Sequence, residues 1–82
     1  MPDSTNDERS RRLAEQSARI RQRMAELAVM VATTEEQVAS TFEHMAEQRS
    51  PSDAERLRAQ AEEARNYAAK ERHRAAGYHD DN

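Results

Sequence analysis

The chain has 82 residues, a net charge of -3 and no cysteine, and its apolar and charged residues each make up 35% of the sequence. The absence of cysteine excludes disulfide bonds and thiolate zinc sites. A chain this short with so few apolar residues rarely buries enough surface to be stable alone, so we expect it to associate with another chain.

The N-terminal segment is small and polar. Residues 1–6 show no periodicity and lack the basic and apolar parts of a signal peptide, so we expect a disordered tail here and a cytoplasmic protein. A mean hydropathy of -1.21 disfavours a transmembrane helix and a membrane partner. Thr5 followed by Glu8 matches a capping box, which predicts a helix start at about residue 7.

The first predicted helix runs from about residue 7 to residue 49, because no glycine or proline interrupts it before Pro51. Two series of residues each repeat every seven positions in this helix. A residue of the first series is followed after four positions by one of the second series, and after three more by the next residue of the first. This is the pattern of a helix that packs along another helix. We call the two series together the seam. Series one is Leu13, Ile20, Leu27, Thr34 and Thr41, and series two is Ser17, Met24, Val31, Val38 and Met45.

A third set of positions beside the seam holds only alanine. This alanine series consists of Ala18, Ala25, Ala32, Ala39 and Ala46. Alanine is small enough to let the backbone of a neighbouring helix come close. We expect the alanine series to flank a seam whose second half, with Thr34 and Thr41 in the core, packs within the chain.

A second helix is predicted from about residue 52 to residue 76. Pro51 disfavours a continuous helix, and Gly77, the only glycine, predicts the stop, with residues 78–82 as a frayed tail. Alanine again repeats every seven residues, at Ala54, Ala61, Ala68 and Ala75. Because the connection is short, we predict an all-α fold: an antiparallel helical hairpin over residues 7–77.

Two observations predict self-association. Counting from the turn places Gly77 near Met24, so the second helix leaves Leu13 and Ile20 uncovered, and residues 28–31 are apolar around the whole helix circumference. Residues 9–23 also carry six arginines, whereas residues 24–48 carry five glutamates and no arginine or lysine. Antiparallel first helices would bring these segments together. We therefore predict an antiparallel dimer, forming a four-helix bundle, with an interface of Leu13, Ile20, Met24, Leu27, Val29, Met30 and Val31 and a two-fold axis near Val29 and Met30.

The arginines offer an alternative partner. Arg9, Arg12, Arg19 and Arg23 form a basic stripe that could contact phosphate groups of a nucleic acid, or else another protein. Acidic residues interleave with the stripe, and the seam lacks the leucine ladder of a basic-region leucine zipper. These features favour a solvated or interchain-paired stripe over nucleic-acid binding.

The sequence predicts no catalytic residue, cofactor or bound metal. Glu43, His44 and Glu47 lie within one turn, but His44 is rotated away from the two carboxylates. Alanine-rich helices also predict no cavity or glycine-rich loop for a substrate. In composition the chain resembles short coiled-coil proteins rich in Ala, Arg and Glu from bacteria with GC-rich genomes. We therefore expect a non-enzymatic interaction module that is homo-oligomeric and able to bind another helical protein.

Overall fold

The computed structural model describes residues 4–79, and these residues form two helices joined by a short connection. Helix α1 spans Ser4–Ala46 and helix α2 spans Pro51–His79. The helices pack against each other as an antiparallel hairpin about 77 Å long, which confirms the predicted all-α helical hairpin. Within the described residues, neither helix is long and apolar enough to cross a membrane.

The connection between the helices occupies residues 47–50. The amides of Glu47, Gln48 and Arg49 each donate to a carbonyl three residues earlier, at 3.1 to 3.3 Å, so the chain tightens and α1 ends three residues sooner than predicted. Pro51 is the first residue of α2, where its missing amide hydrogen costs no helical bond. The Ser50 carbonyl accepts a hydrogen bond from the amide of Ala54 at 2.8 Å.

The outer ends of both helices extend further than the sequence predicts. Helix α1 begins at Ser4, so Thr5 lies inside the helix and not at its cap; several neighbouring residues have the same capping preference, which explains the error. Gly77 does not end α2, which continues through Tyr78 and His79, and no described glycine has a positive φ. Residues 4–6 and 78–79, which the sequence assigned to a disordered and a frayed tail, are therefore helical, and the rest of those tails, residues 1–3 and 80–82, lies outside the described residues.

The hairpin core is built from alanine. Four members of the alanine series, Ala25, Ala32, Ala39 and Ala46, are at most 2% exposed, and they face the alanines that repeat along α2. These are Ala54, Ala61, Ala68 and Ala75, each at most 4% exposed. Every apolar residue that is buried within residues 5–79 is an alanine. The two backbones therefore approach closely, and the seam borders this contact instead of forming its centre, with Val38 packed at the edge of the alanine core.

Two ion pairs fix the register of the helices on one edge of the hairpin. The Arg65 guanidinium donates to both carboxylate oxygens of Glu43, at 3.0 and 2.6 Å, and Arg72 donates to Glu36 in the same way, at 2.8 and 2.6 Å. The pairs are seven residues apart on both helices, so they repeat with the alanine core. We call this side the ion-paired edge.

The two ion pairs shift the pKa values of the glutamate carboxyls. The hydrogen bond from Arg72 lowers the pKa of Glu36, and the hydrogen bond from Arg65 lowers the pKa of Glu43. The same hydrogen bonds raise the pKa of both arginines. The paired groups are thus charged at neutral pH. The donated bonds are bidentate, which is the geometry that gives an arginine pair its directional specificity.

Candidate interaction surface

The seam faces outward. Because the alanine series packs against α2, the larger side chains next to it are rotated toward solvent. Leu13 is 57% exposed, Ile20 56% and Leu27 49%. Thr34 and Thr41 are exposed as well, which corrects the prediction that they lie in the core of the chain. Helical spacing places all five residues of series one on the same side of α1.

Series two lies between series one and α2. Met24 is 42% and Val31 39% exposed, whereas Val38 and Met45 are half-buried. These side chains line a shallow groove along the hairpin, and residues of α2 form its other wall: Leu57, Ala64, Tyr67, Glu71 and Tyr78. Each core alanine of the alanine series lies one position after a residue of series two. Glu36 and Glu43 each lie four positions after a core alanine. The groove and the ion-paired edge therefore flank the alanine core on different sides.

The threonines of series one carry satisfied hydroxyl groups. The Thr34 hydroxyl donates to the Met30 carbonyl and the Thr41 hydroxyl donates to the Gln37 carbonyl, each at 3.0 Å. Such bonds to the preceding turn of the same helix are common for threonine. The two hydroxyls need no water or partner chain to complete their hydrogen bonding, so this part of the surface can be covered without leaving a donor unpaired.

The N-terminal part of α1 extends beyond α2. Every residue from 5 to 20 is exposed, and the first buried residue is Ala25, which clusters with Ala28, Ala75 and Tyr78 near the end of α2. This confirms the uncovered segment expected from counting along the chain. We call residues 5–20 the extension. Leu13 and Ile20 are its large aliphatic side chains.

The structure divides the predicted interface residues between two sides of α1. Met30 is 64% exposed and lies three residues after Leu27, so it borders the seam. Val29 is 40% exposed, but it lies seven residues before Glu36 and therefore belongs to the ion-paired edge. Leu13, Ile20, Met24, Leu27 and Val31 all lie on the seam.

The basic stripe is accessible. Arg9, Arg12, Arg19 and Arg23 are all exposed, and Arg19 and Arg23 border a shallow hollow together with Ile20 and Met24. Helical spacing places the four arginines on one side of α1, adjacent to series one. The stripe could contact a polyanion or a carboxylate-bearing protein surface.

One charged residue at the groove is buried. Glu71 is 7% exposed, and its carboxylate lies 3.2 Å from the exposed guanidinium of Arg74. Its seven-residue spacing from Ala64 and Tyr78 predicts an inward position, although the residue carries a charge. A buried carboxylate with a single flexible partner is a weak point of the packing.

The residues weighed as metal ligands have other contacts or stay exposed. Glu43 binds Arg65, and the Nδ1 atom of His44 lies 3.6 Å from Glu47, with both side chains largely exposed. Among residues 4–79, no three His, Asp or Glu side chains converge in a way that could hold a metal ion.

Comparison with protein-family models, with curated proteins and with solved structures gave no match to this chain.

Proposed function

We propose that this protein is a non-enzymatic interaction module that acts as a homo-oligomer and presents the seam of α1 to another helix. The observation that supports the proposal most strongly is the outward position of Leu13, Ile20 and Leu27, each about half exposed along one helix face. Single exposed aliphatic residues are ordinary on a protein surface, but a continuous apolar row is typical of a binding site.

The chemistry of the seam fits a helical partner. Its seven-residue repeat matches the periodicity of knobs-into-holes packing between helices, and its aliphatic side chains offer no hydrogen bonds to a small polar ligand. A flat, continuous stripe also differs from the concave pocket that an enzyme needs for its substrate. We propose adaptor, regulator or scaffold activity in the cytoplasm, with another helical protein as a possible additional partner.

Self-association is the simplest way to cover the seam. An antiparallel dimer of hairpins, which would form a four-helix bundle, is supported by the charge separation along α1: arginines in residues 9–23 and glutamates in residues 24–48. Two antiparallel copies of α1 bring these segments together, whereas two parallel copies set arginine beside arginine.

Sedimentation equilibrium tests this proposal directly. We expect a species with twice the 9.4 kDa mass of the chain. The double variant Ile20→Glu/Leu27→Glu should be monomeric because it places two like charges in the seam, and it should keep its helical circular dichroism because both positions are exposed in the hairpin. The matched control is Ala59→Glu/Ala69→Glu on the exposed side of α2. A monomeric wild type, or a dimer unaffected by the seam variant, would contradict the proposal.

Nucleic-acid binding through the basic stripe is the second candidate. It is favoured by the exposure of Arg9, Arg12 and Arg19 in the extension and of Arg23 just after it. Phosphate contacts would make the affinity for generic DNA fall steeply as salt increases, and replacing the four arginines with glutamine would reduce that slope. Fluorescence anisotropy with a labelled duplex distinguishes the two candidates, because the interaction module alone predicts no binding at low salt.

A further inference from the structure

We infer that the partner seated on the seam is a second copy of this chain, bound antiparallel in one register that places Leu27 of each copy opposite Val31 of the other. This inference rests on the proposed function and specifies its partner. In the same register, Leu13 faces Met45 and Ile20 faces Val38 of the second copy. The level of residue 29 then lies on the two-fold axis.

The limits of the seam select this register. When one copy of α1 is reversed, every residue of series one meets a residue of series two, and the residue numbers of each facing pair have the same sum. The seam runs from Leu13 to Met45, so both copies are covered along their whole seam. A shift by one seven-residue repeat breaks this match. In one direction Met45 faces Asn6, which lies outside the seam. In the other direction Leu13 lies beyond Ala46 of the second copy, where α1 has ended, so Leu13 faces no seam residue.

The charges agree with the register. Residues 12–23 of one copy lie alongside residues 35–46 of the other. Glu36 and Glu43 are already held by arginines of α2, and Glu35 is the remaining glutamate of α1 in this segment. The arginine-rich extension therefore approaches a segment that still carries acidic side chains, and this attraction opposes the parallel arrangement.

The polar members of the seam restrict the register further. Ser17 faces Thr41 of the second copy, and Met24 faces Thr34. Both threonine hydroxyls are bonded within α1, so covering them leaves no unpaired donor. A shift by one seven-residue repeat would change these pairings, so that Thr34 faces Ser17 in one direction and Val31 in the other. Polar residues in a seam lower its stability but favour one alignment over others.

The absence of cysteine makes the register directly measurable. Leu27→Cys and Val31→Cys are prepared as separate single variants, mixed under exchange conditions and oxidised. We expect the mixed disulfide to form at least about tenfold faster than disulfides in a Thr33→Cys control, because facing thiols have a high effective concentration. Thr33 is the matched control, since it is exposed and lies on the side of the ion-paired edge, within reach of Arg72.

A single variant tests the orientation. Ile20→Cys faces Val38 in the antiparallel register, so it should not crosslink to itself; rapid self-crosslinking would indicate a parallel dimer and overturn the inference. If the wild type sediments as a dimer but the Leu27→Cys and Val31→Cys mixture reacts no faster than the control, this register is wrong while self-association stands. A monomer in sedimentation would overturn the proposed function as well.

Discussion

Single alanines control the distance between α1 and α2. Ala39, Ala61 and Ala64 form one buried cluster, with Phe42 and Val38 packed at its border. The methyl groups leave no space for a larger side chain unless the helices separate or tilt. Since the ion pairs bind across the same contact, a change at one alanine also strains the neighbouring Arg65 to Glu43 bond.

Ala61→Leu should lower the free energy of unfolding by about 1 to 3 kcal/mol, because the added methylenes overpack a residue that is 1% exposed. Urea denaturation followed by circular dichroism measures the effect. The matched control is Ala59→Leu, two residues earlier on the exposed side of α2, where the change should be small. Equal effects at both positions would show that the alanine contact does not limit packing.

Gly77→Ala should stabilise the hairpin by about 0.5 kcal/mol, since glycine in a helix costs conformational entropy that alanine does not. The backbone at Gly77 has no positive φ, and a Cβ atom added there meets no atom within 4 Å. The reciprocal change in the preceding residue, Ala76→Gly, should destabilise by a similar amount. A loss of stability in Gly77→Ala would mean that the helix ends at this glycine, as its sequence position first suggested.

At the level of the two helices, the ion-paired edge sets how stability depends on pH. The pKa values of Glu36 and Glu43 are lowered in the folded chain from the ordinary 4.5. Their pairing therefore contributes stability at pH values above 4.5, and this contribution is lost as the pH falls below 4.5 and through the folded pKa values. The contribution is moderate because all four side chains are partly solvated.

Thermal unfolding at pH 7 and pH 3 checks this dependence. Glu36→Gln/Glu43→Gln should have a lower melting temperature than the wild type at pH 7, and the difference should shrink at pH 3, because the wild-type carboxylates become protonated as the pH falls through their lowered pKa values. Glu55→Gln/Glu62→Gln, with both residues exposed on α2, serves as the charge-matched control. A difference that stays constant between the two pH values would exclude the ion pairs as its cause.

The two helices and the place of their turn could be predicted from the sequence, because Pro51 and the uninterrupted seven-residue repeats act locally. The alanines that repeat along both helices also indicated a close contact, but the sequence could not show that this contact would leave Thr34 and Thr41 of the seam outside. Both the alanine series and the seam have the periodicity of a helix contact, and only the facing alanines of α2, such as Ala61 and Ala68, select the smaller series. The glutamate partners of Arg65 and Arg72 depend on which side of α1 meets α2, so the sequence alone did not identify these bidentate pairs.

In the whole molecule, a core of alanines contributes little apolar burial, and the larger side chains remain available to a partner. A hairpin 77 Å long and only 16 by 11 Å across has a high ratio of surface to volume. In the proposed dimer, folding and association would be coupled, because covering the seam would supply the apolar burial that the hairpin core lacks.

The melting temperature should therefore rise with protein concentration. A dimer that dissociates on unfolding gains stability by mass action, by about 1.4 kcal/mol for each tenfold change in an association equilibrium. Differential scanning calorimetry over a hundredfold concentration range measures the shift. Ile20→Glu/Leu27→Glu should melt at a lower temperature that does not depend on concentration. A wild type with a constant melting temperature would contradict coupled folding.

The extension has one more consequence, for the lifetime of the protein in a cell. Residues 5–20 are exposed on every side, so in a single chain α2 does not pack over them and this part of α1 gains little stability from tertiary contacts. Such a segment opens easily and becomes a substrate for proteases. In the proposed dimer the second copy would cover this segment, so an unpaired chain would be cleaved first at this end.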